Sequence, residues 1–236
     1  MPSVLSIAGR IKGPLRYRHV LKWRCAITTR RRGRPSGSQG PELLAVARAV
    51  FLEQGFARTT MDAVAARARI SKTSLYQEHP SKDALFAAVV RDWAARGRDA
   101  MRPHLDLFLA TDDVPTALLT LARTLQAGIL GADVLRMRRL VASEAARFPD
   151  VAAGYVADSW DRNIATLGDA LAELTRRGRI RADDPSTAAQ QFTWLAVAAP
   201  LNDRTLRGDD TPPAADVLDA TARAAVDTFL ARYGRP

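Results

Sequence analysis

TTMDAVAARARISKTSLYQEHPSKDAL, residues 59–85, reads as two short helices meeting at a tight turn, followed by the capped start of a third. Met61, Val64, Ala65 and Ala68 fall at i, i+3, i+4 and i+7, an apolar stripe of helical period. Ile70 is placed to plug the turn, and Ser71 offers a hydroxyl to cap the next helix. That helix turns Leu75 inward and leaves Lys72, Thr73, Ser74 and Gln77 outward. A face of short polar side chains, positive at its N-terminal end, suits a helix entering the major groove of DNA. The stretch reads as a helix-turn-helix, and it implies DNA binding.

The composition around it favours an all-α chain. Alanine is abundant, aromatic residues make up 6%, and β-branched residues are scarce. A length of 236 residues suffices for two domains. No uninterrupted apolar run of about 18 residues occurs, so no membrane span is expected. The single cysteine, Cys25, excludes an internal disulfide and fits a reducing, cytoplasmic setting. The formal net charge of +10 is concentrated at one end. Arg10, Lys12, Arg16, Arg18, Lys22, Arg24, Arg30, Arg31, Arg32 and Arg34 all precede the first carboxylate, Glu42. The other 25 basic residues match the 25 acidic ones, so a basic arm precedes a neutral body. Such an arm fits a DNA-binding extension.

Residues 1–40 carry Gly and Pro breakers without an amphipathic period, and are expected to be disordered. Their apolar run is too short for a signal peptide. Within them Arg30-Arg31-Arg32-Gly33-Arg34-Pro35 stands out. Arg-Gly-Arg-Pro is the core of an AT-hook: the glycine lets the chain lie deep while Arg32 and Arg34 flank it in a minor groove. A narrow A·T-rich groove concentrates negative potential, so an inserted Arg gains more there than on the outer backbone. A DNA-binding domain is expected over 41–90 and a second helical domain over 91–236. The first helix is expected to start at Pro41, end before Gly55, and bury Leu43, Leu44, Ala47, Val50 and Phe51. Ser81 caps a helix expected to run from Lys82 to about Arg102, where Pro103 ends or kinks it. Further helical patterns open at Thr111-Asp112-Asp113-Val114-Pro115 and run to about Leu130, then from Ala132 to Arg147. Three more run from the Phe148-Pro149-Asp150 break to about Arg177, from Pro185 to about Leu206, and from about Ala214 to Tyr233.

Several motifs then fall into one order. They are Phe51-x-x-x-Gly55-Phe56, Thr59-Thr60-Met61-x-x-Val64-Ala65, Ile70-Ser71-Lys72-x-Ser74-Leu75-Tyr76 and Pro80-Ser81-Lys82-Asp83-Ala84-Leu85. With them the chain resembles the tetracycline-repressor (TetR) family of bacterial transcription regulators. Arg139-Leu140-Val141-x-x-Glu144-x-x-Arg147-Phe148-Pro149 looks like the C-terminal half of the family's AcrR-like branch. The resemblance implies about nine helices, a three-helix DNA-binding domain, and a C-terminal domain for ligand binding and homodimerisation. It implies phosphate contacts from Thr60 and Tyr76, and from Lys82 at a helix N-terminus. Lys72, Thr73, Ser74 and Gln77 would face base edges of a double-stranded, palindromic operator. Two departures stand out. Glu78-His79 replaces the usual His or Tyr followed by Phe, which sets a carboxylate where a phosphate contact is common. Arg69 replaces the usual turn glycine, which implies a left-handed residue with a side chain.

The resemblance also implies a repressor that releases its operator on binding a small effector, here hydrophobic or aromatic. The expected lining is Trp93, Phe108, Met137, Tyr155, Trp160 and Trp194, with Arg139 and Glu144 as polar anchors. The dimer face is expected on the last two helices, from Ala188, Phe192, Leu195, Ala196 and Ala199, and from Val226, Phe229 and Leu230. No enzyme, metal or cofactor is expected. His19, His79 and His104 lie far apart, and metal-ligand, Walker-type and dinucleotide spacings are missing. The rival expectation is an architectural DNA binder driven by the arm, with steep salt dependence and little sequence preference.

Overall fold

Side-chain caps and a glycine break set the ends of the N-terminal helices. In the computed structural model, which describes residues 37–97, 100–211 and 213–235, helix α1 (Pro41–Arg58) begins on its proline. It loses helical geometry at Gly55 (φ 74°, ψ 168°), a conformation open to glycine. The break turns Phe56 into the core and lets the buried Thr59 hydroxyl donate to the Gly55 carbonyl at 2.8 Å. Thr60 Oγ1 caps α2 (Met61–Ala68) by accepting from the Ala63 N–H at 3.1 Å. Ser71 Oγ caps α3 (Lys72–Glu78) by accepting from the Ser74 N–H at 3.0 Å. Ser81 does the same for α4 (Lys82–Gly97) through the Ala84 N–H at 3.1 Å. Each such cap contributes about 1 kcal/mol.

The remaining helices are α5 (Arg102–Ala110), α6 (Val114–Ile129), α7 (Ala132–Glu144) and α8 (Pro149–Tyr155). A π-helical segment, Val156–Asp161, joins α8 to α9 (Arg162–Arg176), and α10 (Pro185–Arg207) and α11 (Ala215–Tyr233) follow. The described residues are thus all-α, apart from an isolated bridge between Ile180 and Gly234. Among them no single helix is long and apolar enough to cross a membrane.

Two apolar cores organise these helices. The first joins Leu43, Val50 and Phe51 of α1, the α2 stripe, Leu75, and Leu85, Phe86 and Val89 of α4. It also takes Met137, Leu140 and Val141 from α7, with Phe148 packed against it. Phe148 lies 5.1 Å from Phe56 and 5.2 Å from Phe86 between ring centroids, in tilted and edge-on arrangements that aromatic rings favour. The second core gathers α5, α6, α9, α10 and α11, plus Leu135 of α7. Inside it the buried Gln126 amide donates to the Ala196 carbonyl at 3.1 Å and to the Leu218 carbonyl at 3.0 Å, tying α6 to α10 and α11. A buried amide satisfied in this way fixes the register of three helices.

The expectations differ from the structure in three places. The helix from Lys82 stops at Gly97, and Pro103 sits in the first turn of a separate α5, where its missing N–H costs nothing. The long pattern after Phe148 is interrupted by the π segment. The segment expected to lack structure up to Gly40 is instead held against α3 from Gly37 onward, as described below. Residues 1–36 of the arm, with Arg32 and Arg34, lie outside the described residues.

Candidate nucleic-acid interface

α3 owes its exposed face to a single inward residue. Leu75 is fully buried, while Lys72, Thr73, Ser74, Tyr76 and Gln77 are exposed, Tyr76 at 47%. Among the described residues the side chains of Thr73, Tyr76 and Gln77 have no hydrogen-bond partner. Lys72 Nζ stands 2.5 Å from Asp62 Oδ2, and both side chains are more than half exposed. An exposed pair of this kind contributes about 0–1 kcal/mol, so a guanine edge or a phosphate can take the ammonium at small cost. The Ser74 and Ser71 hydroxyls lie 2.8 Å apart. Thr60 accepts a bond as N-cap, and its own O–H stays available as a donor.

Lys82 is placed differently from the expectation. Its ammonium lies 3.0 Å from the Phe56 carbonyl oxygen and 3.3 Å from that of Ala57, with Nζ 4.4 Å from the Phe56 ring centroid. It therefore closes the end of α1 where the Gly55 break leaves carbonyls unpaired. Arg69 is left-handed (φ 58°, ψ 36°), as the missing turn glycine implied. Among the described residues it is the one non-glycine with positive φ. His79 is half-buried, and its Nε2 has no hydrogen-bond partner among the described residues.

Glu78 corrects a simple electrostatic reading. Its Oε1 accepts from the Gly40 N–H at 3.2 Å, so the carboxylate is engaged by the backbone entering α1. The Ser38 N–H donates to the Ala68 carbonyl at 3.0 Å. A groove of about 540 Å³ runs here, lined by Gly37, Gln39, Arg69, Ser71, Ser74 and Gln77. Sequence reasoning missed this contact. The glycines at 37 and 40, flanking two polar residues, were the available signal.

The eight residues expected to line an effector pocket do not converge on one site. Met137 is wholly buried in the core shared with α1 and α4. Trp93 and Tyr155 pack against the same core, with the Arg48 guanidinium 4.8 Å from the Trp93 ring centroid. Burial pushes the Tyr155 phenol above its usual value, and the Arg138 charge opposes the rise. Arg139 is already engaged by Asp210 and by the Arg204 carbonyl, and Glu144 is half-buried at the end of α7. Phe108 lines a separate groove between α5 and α6 of about 190 Å³. Trp160 and Trp194 do come together, ring centroids 4.9 Å apart, with Arg138 5.9 Å from the Trp160 centroid.

The expected dimer stripe also divides. Ala188, Phe192, Ala196, Val226 and Phe229 are buried within the protomer, Phe192 edge-on to Phe229 at 5.1 Å. Helical period selects the most apolar face, and that face serves the core first. Leu195 and Ala199 are exposed and Leu230 is half-buried.

A capped three-helix unit with a short, uncommitted polar face on its third helix defines a helix-turn-helix DNA-binding protein. Residues 43–89 match the model for bacterial regulatory proteins of the tetR family. Residues 116–235 match that of an AefR-like transcriptional repressor, C-terminal domain, where the residues alone suggested an AcrR-like half. The chain therefore belongs to the TetR family and is a DNA-binding transcriptional repressor. This is a family of regulators, not of enzymes. A TetR-family transcriptional regulator from Mesorhizobium loti is 28% identical, with 82% of this chain and 95% of that one covered, at a TM-score of 0.78. The flavonoid-responsive regulator FrrA is 27% identical over 81% of this chain and 95% of its own, at 0.63. SmeT, the repressor of the Stenotrophomonas maltophilia multidrug efflux pump SmeDEF, shares the fold at 23% identity and a TM-score of 0.53, with 82% and 89% covered. No curated protein matches the chain.

Proposed function

We propose that two copies of this chain occupy a palindromic operator, each laying α3 in the major groove, and release it on binding a hydrophobic or aromatic effector. The observation that carries this reading is the uncommitted face of Thr73, Tyr76 and Gln77, beside a weakly held Lys72. Lys72 suits guanine and Gln77 suits adenine, each well-made bidentate contact being worth about 1–3 kcal/mol of discrimination. Thr60 and Tyr76 donate to phosphates, and Lys82 adds positive charge at the start of α4. The basic arm, residues 1–40 in this reading, supplies Arg32 and Arg34 to a minor groove, ahead of a DNA-binding domain over 41–90 and a regulatory domain over 91–236.

Dimerisation falls to α10 and α11, which leave Leu195, Ala199, Leu206 and Val217 exposed. The effector meets the Trp160–Trp194 pair, whose ring faces suit an aromatic molecule and whose neighbour Arg138 suits an acidic group on it. The likeness to a flavonoid-responsive regulator supports an aromatic effector.

The test is footprinting of the purified protein on the intergenic DNA upstream of its own gene, titrated across salt. A palindromic footprint roughly a thousandfold above random DNA supports the reading. Salt-steep binding with no footprint overturns it in favour of an architectural binder.

A further inference from the structure

Eight lysines and arginines lie within residues 37–97. Arg67 is paired with Glu53, Lys72 with Asp62 and Arg96 with Asp92. Arg58 and Arg91 donate to the Gln54 and Ala87 carbonyls, and Lys82 to those of Phe56 and Ala57. Arg48 lies over the Trp93 ring. Arg69 is the eighth. It is exposed, and among the described residues its guanidinium has no hydrogen-bond, ion-pair or ring partner.

The turn that holds Arg69 has no need of its side chain. The Arg69 N–H donates to the Ala66 carbonyl at 3.2 Å and the Ile70 N–H to the Ala65 carbonyl at 3.1 Å, so main-chain bonds close α2 and aim the chain into α3. They hold Arg69 at φ 58°, ψ 36°, where glycine is at ease and a Cβ is crowded. At every other positive φ among the described residues the chain has glycine: Gly40, Gly55, Gly178 and Gly208. Strained residues gather where ligands are held, and this one carries the unpartnered charge.

Arg69 borders the groove of about 540 Å³ beside α3, together with Ser71, Ser74, Gln77 and Glu78. Among the described residues it is the only cation lining that groove, and Ser71 and Ser74 add two hydroxyls. Glu78 is the opposing charge, at the other end of the helix. α3 has seven residues, so at 1.5 Å per residue roughly 10 Å separates its ends, about one Debye length at 0.1 M salt. One carboxylate oxygen of Glu78 also accepts from the Gly40 N–H. The Arg69 end of the groove is therefore favourable to an anion.

We infer that the Arg69 guanidinium binds a phosphate of the operator strand whose bases α3 reads, a contact made from the turn between α2 and α3. The inference rests on α3 reading the operator, as proposed above. Ser74 and Gln77 belong to the face assigned there to base edges, and they share the groove with Arg69, so the backbone of the strand they read passes along it. A planar guanidinium offers paired N–H donors to two phosphate oxygens. Such a contact fixes the register of α3 on the duplex and adds affinity, but it carries no sequence preference of its own.

The test uses the full chain, its footprinted operator, random DNA of the same length and a salt titration. Arg69→Gln keeps the Cβ and removes the charge. It is expected to weaken binding to operator and random DNA by the same factor, about tenfold per protomer at 0.1 M salt and fading toward 1 M. The slope of log K against log salt falls by about 0.9 for each Arg69 lost. Arg69→Lys keeps the charge and is expected to hold the wild-type slope. Gln77→Ala is the contrast: it lowers the ratio of operator to random affinity and leaves the slope alone. A methylphosphonate, which replaces one charged phosphate by a neutral group, then locates the contact. Scanned along the half-site, one position is expected to weaken the wild-type chain and leave Arg69→Gln unaffected. A palindromic footprint with wild-type affinity and slope in Arg69→Gln overturns this inference and leaves the reading of α3 standing. So does a loss with unchanged slope, a loss confined to the operator, or a scan in which no position separates the two chains. Absence of any palindromic footprint in the wild-type chain overturns both.

Discussion

Arg69→Gly is expected to stabilise the protein although it removes a whole side chain. Arg69 sits in the left-handed region at φ 58°, ψ 36°, where its Cβ crowds the following carbonyl. That crowding costs about 1–2 kcal/mol for an L-residue. Glycine escapes it, but gives back about 0.5–1 kcal/mol through the greater freedom of its unfolded chain. The net gain is about 0.5–1 kcal/mol, because the exposed Arg69 side chain contributes little packing. For a chain of this size 1 kcal/mol moves the midpoint of thermal unfolding by about 2–4 °C, so a rise of about 1–4 °C is expected. The assay is a thermal melt followed by circular dichroism, with Arg69→Asn and Arg69→Ala as companions. Asn tolerates the conformation better than most residues and falls between glycine and the parent. Alanine keeps the Cβ and gains nothing. A glycine variant that melts at or below the parent temperature would refute the claim that this turn stores strain. Removal of the Arg69 charge lowers the slope of log K against log salt by at most about 0.9.

Tyr76→Phe is expected to weaken operator binding by about 1 kcal/mol with an unchanged melt, since its hydroxyl is exposed and bonds nothing among the described residues. Lys82→Ala behaves differently: it releases the Phe56 and Ala57 carbonyls as well as any phosphate, so DNA affinity and stability fall together, the latter by about 1 kcal/mol in urea titration. Phe148→Ala, opening the ring cluster with Phe56 and Phe86, costs about 2 kcal/mol by the same titration, less than the ~3–5 kcal/mol of a fully buried phenylalanine because Phe148 is half-buried. Hydrogen bonds from Arg139 and then Arg136 hold the Asp210 carboxyl below the usual carboxylate value of 3.8, so its contribution is present above that pH and is lost as the pH falls through the lowered value. Melting temperature against pH therefore drops less steeply below about pH 4 in Asp210→Asn than in the parent, and identical acid limbs would show that the ion pair does not form in solution.

Local chemistry made the DNA-binding half legible. Thr60, Ser71 and Ser81 are caps because short hydroxyl side chains satisfy helix N–H groups wherever they occur, and Gly55 breaks α1 because only its backbone accepts that φ. Such signals act over three or four residues and survive any tertiary context. The C-terminal half was legible as helices but not as a site. Met137 and Trp93 look like pocket residues by size, yet which core receives them depends on how α7 and α4 pack, a contact across dozens of residues. Phe192 and Phe229, expected on a dimer face, are buried inside the protomer for a similar reason, since periodicity identifies an inner face without saying whose interior it faces. Arg139 was read as a polar anchor, and its partner Asp210 lies 71 residues away in a loop that gives no periodic signal.

That pairing gives α7 a place that sequence pattern does not reveal. Leu135 packs in the C-terminal core, while Met137, Leu140 and Val141 pack in the core that holds α1, α2, α3 and α4. Arg136 and Arg139 reach from the same helix to Asp210, in the connection between α10 and α11. A helix committed to two interiors cannot rotate or slide in one without disturbing the other, because close-packed protein interiors have little free volume to absorb a shift. Displacement of α7 by even a fraction of a turn would press Met137 and Leu140 against the packing that sets α1 and α4. At the other end of that core, Leu75 is the one fully buried side chain that α3 contributes. An effector bound among α7, α10 and the π-helical segment therefore needs no contact with the DNA-binding helices to change their spacing. It needs only a higher affinity for one of two packings of α7, and that difference in affinity sets the limit on how far operator binding can fall.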